Sequence, residues 1–127
     1  MKNRDLYTSA LCLLAESLED GENEDYEERA PYLLAAFCSE IADVDKNFRR
    51  AEGTQAPIHD SIYLDLDADF PLSERFGTAA SLYLAAMLIL DSDEERSDSL
   101  YEKYCDSISS IADSIPACSE PIVNRYL

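Results

Sequence analysis

The chain has 127 residues, the size of one domain with a core of its own. Its ordinary apolar content argues against wholesale disorder, and three glycines and five prolines are too few for an all-β fold built on tight turns. A net charge of −17 argues against binding nucleic acid or an anionic membrane through a basic field.

Residues 4–19 read as a first helix. Asn3 can cap it, Asp5 suits the positive end of its dipole, and Tyr7, Leu11, Leu14 and Leu18 mark one face. Asp20 and Gly21 supply a stop. In the following GENEDYEERAPY, Asp25 and Glu28 have capping-box spacing, but Pro31 removes a helix hydrogen bond and crowds the preceding turn. The expectation is a short helical turn at 25–29, a bend, and a second helix over 31–51. Leu34, Phe37, Ile41, Val44 and Phe48 form its stripe, Arg49 and Arg50 complement its C-terminal dipole, and Gly53 ends it.

The longest gap is residues 53–70, which includes most of SIYLDLDADFP. Its alternation predicts an extended segment, with Ile62, Leu64, Leu66, Ala68 and Phe70 toward the bundle and Tyr63 and the aspartates toward water. Such a segment has unpaired backbone groups; it can lie along the helices or pair with another subunit. A third helix is predicted over 71–90, with Pro71 near its start and Asp69 as its cap. It is apolar on nearly every side, which marks it as the buried central helix, and Gly77 within it allows a close neighbour. A fourth helix is predicted over 93–115, opened by a Ser92/Glu95 capping box and stopped by Pro116, with Tyr101, Tyr104, Ile108, Ile111 and Ile115 as its stripe. The short link makes helices three and four antiparallel neighbours. Residues 116–127 read as a short helix or a docking tail. The expected fold class is therefore all-α: a single domain over 1–127, a compact bundle of four main helices with a buried third helix and one extended segment before it.

Candidate chemistries fail at particular residues. Asp65, Asp67 and Asp69 open like a calcium EF-hand loop, which needs glycine at its sixth position and a bidentate glutamate at its twelfth; Phe70 and Phe76 stand there. IYLDLDAD also imitates the nucleophile strand of haloacid-dehalogenase-type phosphotransferases, but no other strand accompanies it. His59, the only histidine, has no partner at recognisable spacing, and Cys12, Cys38, Cys105 and Cys118 lack zinc-ligand spacing. No catalytic, cofactor-binding or metal residue is nominated, and no cofactor is expected. Cys12, Cys38 and Cys105 lie in apolar helical stretches, so the expectation is mostly buried, reduced thiols and a cytoplasmic protein without a signal peptide. The longest apolar run, Ala79–Leu90, falls short of the roughly 20 residues of a membrane span.

The order of elements nevertheless resembles a known family. ALCLLAE leads to an acidic turn and an apolar helix; YLDLDADFP enters RFGTAASLYLAAMLIL; DSDEERSD precedes LYEKYCDSI. Over roughly residues 5–115 this resembles bacteriophage and prophage head–tail connector (adaptor) proteins. The resemblance implies a non-enzymatic subunit that forms a ring with its neighbours beneath a portal-type protein, in the cytoplasm or in a phage particle. It transfers no catalytic residue. On this reading Ile62, Tyr63, Leu64, Asp65 and Asp67, with Tyr126 and Leu127 in the tail, are the candidate subunit contacts. The charge supports an alternative: an acidic module that inhibits or regulates a basic protein. Both readings expect protein partners, no sequence-specific nucleic-acid binding and no membrane.

Overall fold

A computed structural model describes residues 1–15, 23–54 and 61–115. Four α-helices follow in order: α1, Asn3–Leu13; α2, Asn23–Ala51; α3, Gly77–Ile89; and α4, Glu94–Asp113, with a 3-10 turn at Glu74–Phe76 leading into α3. The fold is all-α, as its apolar periodicity predicts. The described residues contain no strand, only an isolated antiparallel bridge between Lys2 and Asp69.

Helix α3 is the hub. It touches each of the other helices, whereas α1 and α2 meet only lightly. Every residue from Ala79 to Ala86 is buried, together with Leu88 and Ile89. Phe37, Leu34, Leu11, Phe76, Leu84 and Leu88 are the large apolar side chains most fully enclosed around it. Each contributes about 1.5–3 kcal/mol through removal from water. Phe37 binds the layers, its ring lying 5.8 Å from Tyr83, 6.0 Å from Tyr104 and 6.4 Å from Phe70. Ser97 donates to the carbonyl of Ala86, and Tyr104 packs on Tyr83. As α4 advances its contacts on α3 retreat, so the two helices are antiparallel.

Several local expectations require correction. Pro31 does not divide α2, which runs unbroken from Asn23 to Ala51. Proline costs one intrahelical bond, but Ala30, Pro31, Leu34 and Ala35 are all buried, and this packing carries the helix unbroken through the site. Helix α1 ends at Leu13, well before residue 19, because Ala15 takes a left-handed backbone with φ of 56°. Its N-cap is Lys2, and Asn3 is a buried residue of its first turn.

Asp69 does not cap α3. The helix is entered through the 3-10 turn, whose N-cap is Ser73, and the Ser73 amide donates to Asp45 Oδ1 on α2 at 3.3 Å. Asp93, one residue beyond Ser92, caps α4 by accepting from the Arg96 amide at 3.0 Å. Gly77 does sit against Met1 and Leu6, but a β-carbon there would meet them at 3.6–3.7 Å, ordinary contact distance. Close approach therefore does not require glycine at this position.

Candidate functional site

The segment before α3 is shaped by its own short-range hydrogen bonds. The Ser61 hydroxyl accepts from the Tyr63 amide at 3.1 Å and donates to the Tyr63 carbonyl at 2.6 Å. This local closure bends the chain at Ile62. The strict alternation expected from the sequence fails there: Ile62 is 80% exposed, and Ala68 is also exposed. Leu66 and Phe70 are buried and Leu64 half-buried, with Tyr63, Asp65, Asp67 and Asp69 outward as the pattern predicts.

From Leu64 onward the segment's backbone is used within the chain. The Leu64 amide donates to the Pro31 carbonyl at 3.1 Å. Asp65 builds a turn, its carboxylate accepting from the Asp67 amide and its carbonyl from the Ala68 amide. The carbonyls of Leu66 and Ala68 then accept from the amides of Arg4 and Asn3 at 2.8 and 3.0 Å, and the Phe70 amide donates to the Met1 carbonyl. These partners satisfy first-turn amides that an α-helix leaves open. Buried Asn3 adds a side-chain donation to the Asp65 carbonyl at 2.8 Å.

Two of the three aspartates complete this clamp: Asp67 pairs with Arg4 at 3.0 Å and Asp69 with Lys2 at 3.1 Å. Asp65 supplies the turn. The DLDAD sequence thus closes over the start of α1. No group of three histidine, cysteine, aspartate or glutamate residues is placed to hold a metal ion among the described residues.

Beside the clamp lies an open cleft of about 580 Å³, lined by Glu24, Glu27, Glu28, Pro31, Tyr32 and Tyr63. The Tyr32 and Tyr63 rings meet edge to face, 5.1 Å apart and inclined at 73°. Both stay about half exposed, at 55% and 47%. Glu27 binds Arg4 at 3.0 Å, and Glu24 and Glu28 have no ion-pair partner among the described residues. The arrangement raises the pKa of Arg4, chiefly through its hydrogen bond to Glu27 and then that to Asp67. A neighbouring recess of about 380 Å³ shares Glu28 and Tyr32 and adds Arg29 and Leu33.

Of the candidate contact residues, Tyr63 lines this cleft, Ile62 before it is exposed outside the lining, Leu64 anchors the segment to α2, and Asp65 and Asp67 belong to the clamp. Tyr126 and Leu127 lie outside the described residues, as do His59 and Cys118. Tyr32, Glu24 and Glu27 were not singled out from the sequence, and Glu28 was read only as a capping-box residue. A signal was present: Tyr32 is a large aromatic off the Leu34–Phe37–Ile41 stripe, one helical turn after the acidic run that ends at Glu28.

The thiols separate by environment. Cys38 is buried and its pKa is pushed up to about 12 by desolvation, the state of an inert thiol. Cys12 and Cys105 are free and exposed, contrary to the expectation of burial, because each lies on the outer side of its helix. In a groove lined by Glu40, Ile41, Val44, Tyr104 and Ile108, burial and then the Glu40 charge raise the pKa of the Tyr104 hydroxyl.

Six of the ten cations are spent on internal ties. Of ten lysines and arginines in the chain, Lys2, Arg4, Arg29, Arg49 and Arg75 are in ion pairs, and Arg96 is bound to the Leu13 carbonyl. The acidic surface is left with little compensation. No helix among the described residues is long and apolar enough to cross a membrane. No protein-family model matches the chain, and comparisons with curated proteins and with solved structures find no match.

Proposed function

We propose that this chain is a non-enzymatic assembly protein that works through contacts with other proteins, in the manner of a head–tail connector subunit. The observation that carries this reading is the exposed corner at Ile62 and Tyr63. Among the described residues Ile62 is the most exposed large apolar side chain, at 80%, and it directly precedes Tyr63, which pairs with Tyr32 half open to solvent. A cluster of large apolar groups outside the core favours a partner surface. Much of the backbone from Leu64 to Phe70 is already bonded within the chain, so contact at this corner is expected through side chains.

The connector form of this reading rests on the order of sequence elements, and the oligomeric state tests it. Sedimentation velocity and negative-stain imaging, alone and beside a portal-type protein, are expected to give a ring. A strict monomer at high concentration under both conditions would overturn it. The cytoplasm, or an assembled particle, is the corresponding place of action.

A second reading is favoured by the use of cations in internal ties: an acidic module that covers a basic protein. Its complex is expected to co-purify with a basic partner and weaken as salt rises, because screening acts on exposed charges. A complex indifferent to salt would count against it.

A further inference from the structure

The geometry points to the Tyr32–Tyr63 cleft as the docking site for an extended, arginine-bearing segment of a basic partner protein. This rests on the protein-binding role proposed above and adds the chemistry of what is bound. Tyr32 and Tyr63 bring two exposed aromatic side chains to one place, at 55% and 47% exposure. The edge-to-face contact of the tyrosines occupies one ring's edge and one face of the other. Further ring faces remain for a cation, which the ring quadrupole attracts.

Charge selects the occupant. Glu24 and Glu28 line the cleft with no ion-pair partner among the described residues. The cations nearest to them are already committed: Arg4 holds Glu27 and Asp67, and Arg29 holds Asp25 and the Met87 carbonyl. Glu24 and Glu28 are therefore the exposed, unpaired carboxylates that a basic partner would meet at the cleft. Arginine fits better than lysine, because a planar guanidinium can stack on a tyrosine ring and engage a carboxylate by two parallel bonds. A second copy of this chain carries the same net charge of −17 and is the poorer complement.

The test uses the whole protein and a fluorescein-labelled peptide of alternating arginine and alanine, read by fluorescence anisotropy. At about 0.15 M salt the screening length is about 8 Å, which suppresses the bulk field. Saturable binding is expected, weakened about tenfold by Tyr63→Ala and by Glu28→Gln, and retained by Tyr63→Phe. The remote double variant Glu94→Gln/Glu95→Gln is expected to change it less than about twofold. Tyr63 and Glu28 are exposed, and circular-dichroism melts confirm that their variants stay folded. Absence of saturable binding, or an equal loss in the remote variant, overturns the inference. So does an oligomer that Tyr63→Ala dissociates while no peptide binds, which assigns the cleft to a second copy. Native mass on the same samples separates the two readings. A ring that ignores the peptide removes only this inference; a strict monomer that binds it removes only the connector form.

Discussion

The guanidinium of Arg29, on α2, donates to the carbonyl of Met87 in the last turn of α3 at 3.1 Å. Arg96 on α4 does the same for the last residue of α1, donating to the Leu13 carbonyl at 3.0 Å. Neither α1 nor α3 has a basic residue in its own last turn. Helix ends leave carbonyls unsatisfied and carry partial negative charge. Here each is met by a cation from a different helix, so a helix-end contact also becomes a tertiary tie.

Replacing Arg29 should therefore cost more than a surface charge usually does. Arg29→Ala leaves the Met87 carbonyl without this donor and removes the Asp25 pair, which at 3.5 Å contributes little. The expected loss is about 1–2 kcal/mol, in the range of a hydrogen bond from a charged donor. Urea unfolding followed by circular dichroism measures it. Asp25→Ala should cost under about 0.5 kcal/mol, and an equal loss in both variants would contradict the assigned role.

Asp45 is the buried counterpart of these ties. It is 1% exposed, accepts from Arg49 at 2.8 Å, and accepts from the Ser73 amide that opens the path into α3. Asp45→Ala would leave both donors without this acceptor. The expected destabilisation is about 2–4 kcal/mol, moderated by the partial exposure of Arg49. Asp45→Asn should recover part of it, since the amide oxygen can still accept from one donor. Denaturant midpoints of the two variants check the order.

These two residues show what could be read from the sequence. The identity of α3 as central helix follows from apolar residues on all its faces, a property of composition that needs no knowledge of its neighbours. Arg29, Asp45 and Arg96 were not legible in the same way, because each bonds across a turn or to another helix. Pro31 misled for a related reason: local propensity predicts a break, and packing on buried neighbours overrides it. At the site, SIYLDLDADFP correctly suggested outward aspartates, but not the cations that they meet. Those cations, Lys2 and Arg4, lie more than sixty residues away in sequence.

Alkaline pH should unfold the protein through its buried acids. Burial raises the pKa of the Cys38 thiol from 9.0 to about 12, and burial with nearby acidic charge raises those of Tyr83 and Tyr104 above 10.0. Above these ordinary values the unfolded chain releases protons that the folded chain retains. Stability contributed by each group is full below its unfolded pKa and falls as pH rises toward its folded one, at about 1.4 kcal/mol per pH unit. For Cys38 the window opens near pH 9 and closes near 12. The midpoint of urea unfolding should decline from about pH 9, and Cys38→Ala should flatten the first part of that decline. A decline of the same slope in the variant would contradict it.

The aspartate clamp yields the last expectation. Asp67 and Asp69 are 78% and 77% exposed at the side chain, and each pairs with a cation that is itself about half exposed. Exposed pairs of this kind contribute about 0–1 kcal/mol each. The larger share of the clamp lies in its backbone, where the carbonyls of Leu66 and Ala68 receive the first amides of α1. Asp67→Asn and Asp69→Asn should each shift stability by under about 1 kcal/mol, with the shift shrinking in salt. Leu66→Pro should cost several-fold more, because it constrains a backbone whose carbonyl meets the Arg4 amide and replaces a buried leucine. Calcium should leave the thermal midpoint of the parent protein unchanged, since each aspartate is committed to a turn or a cation and no cage forms around one ion. A calcium-dependent rise in that midpoint, abolished by Asp65→Asn, would restore the loop reading that the geometry opposes.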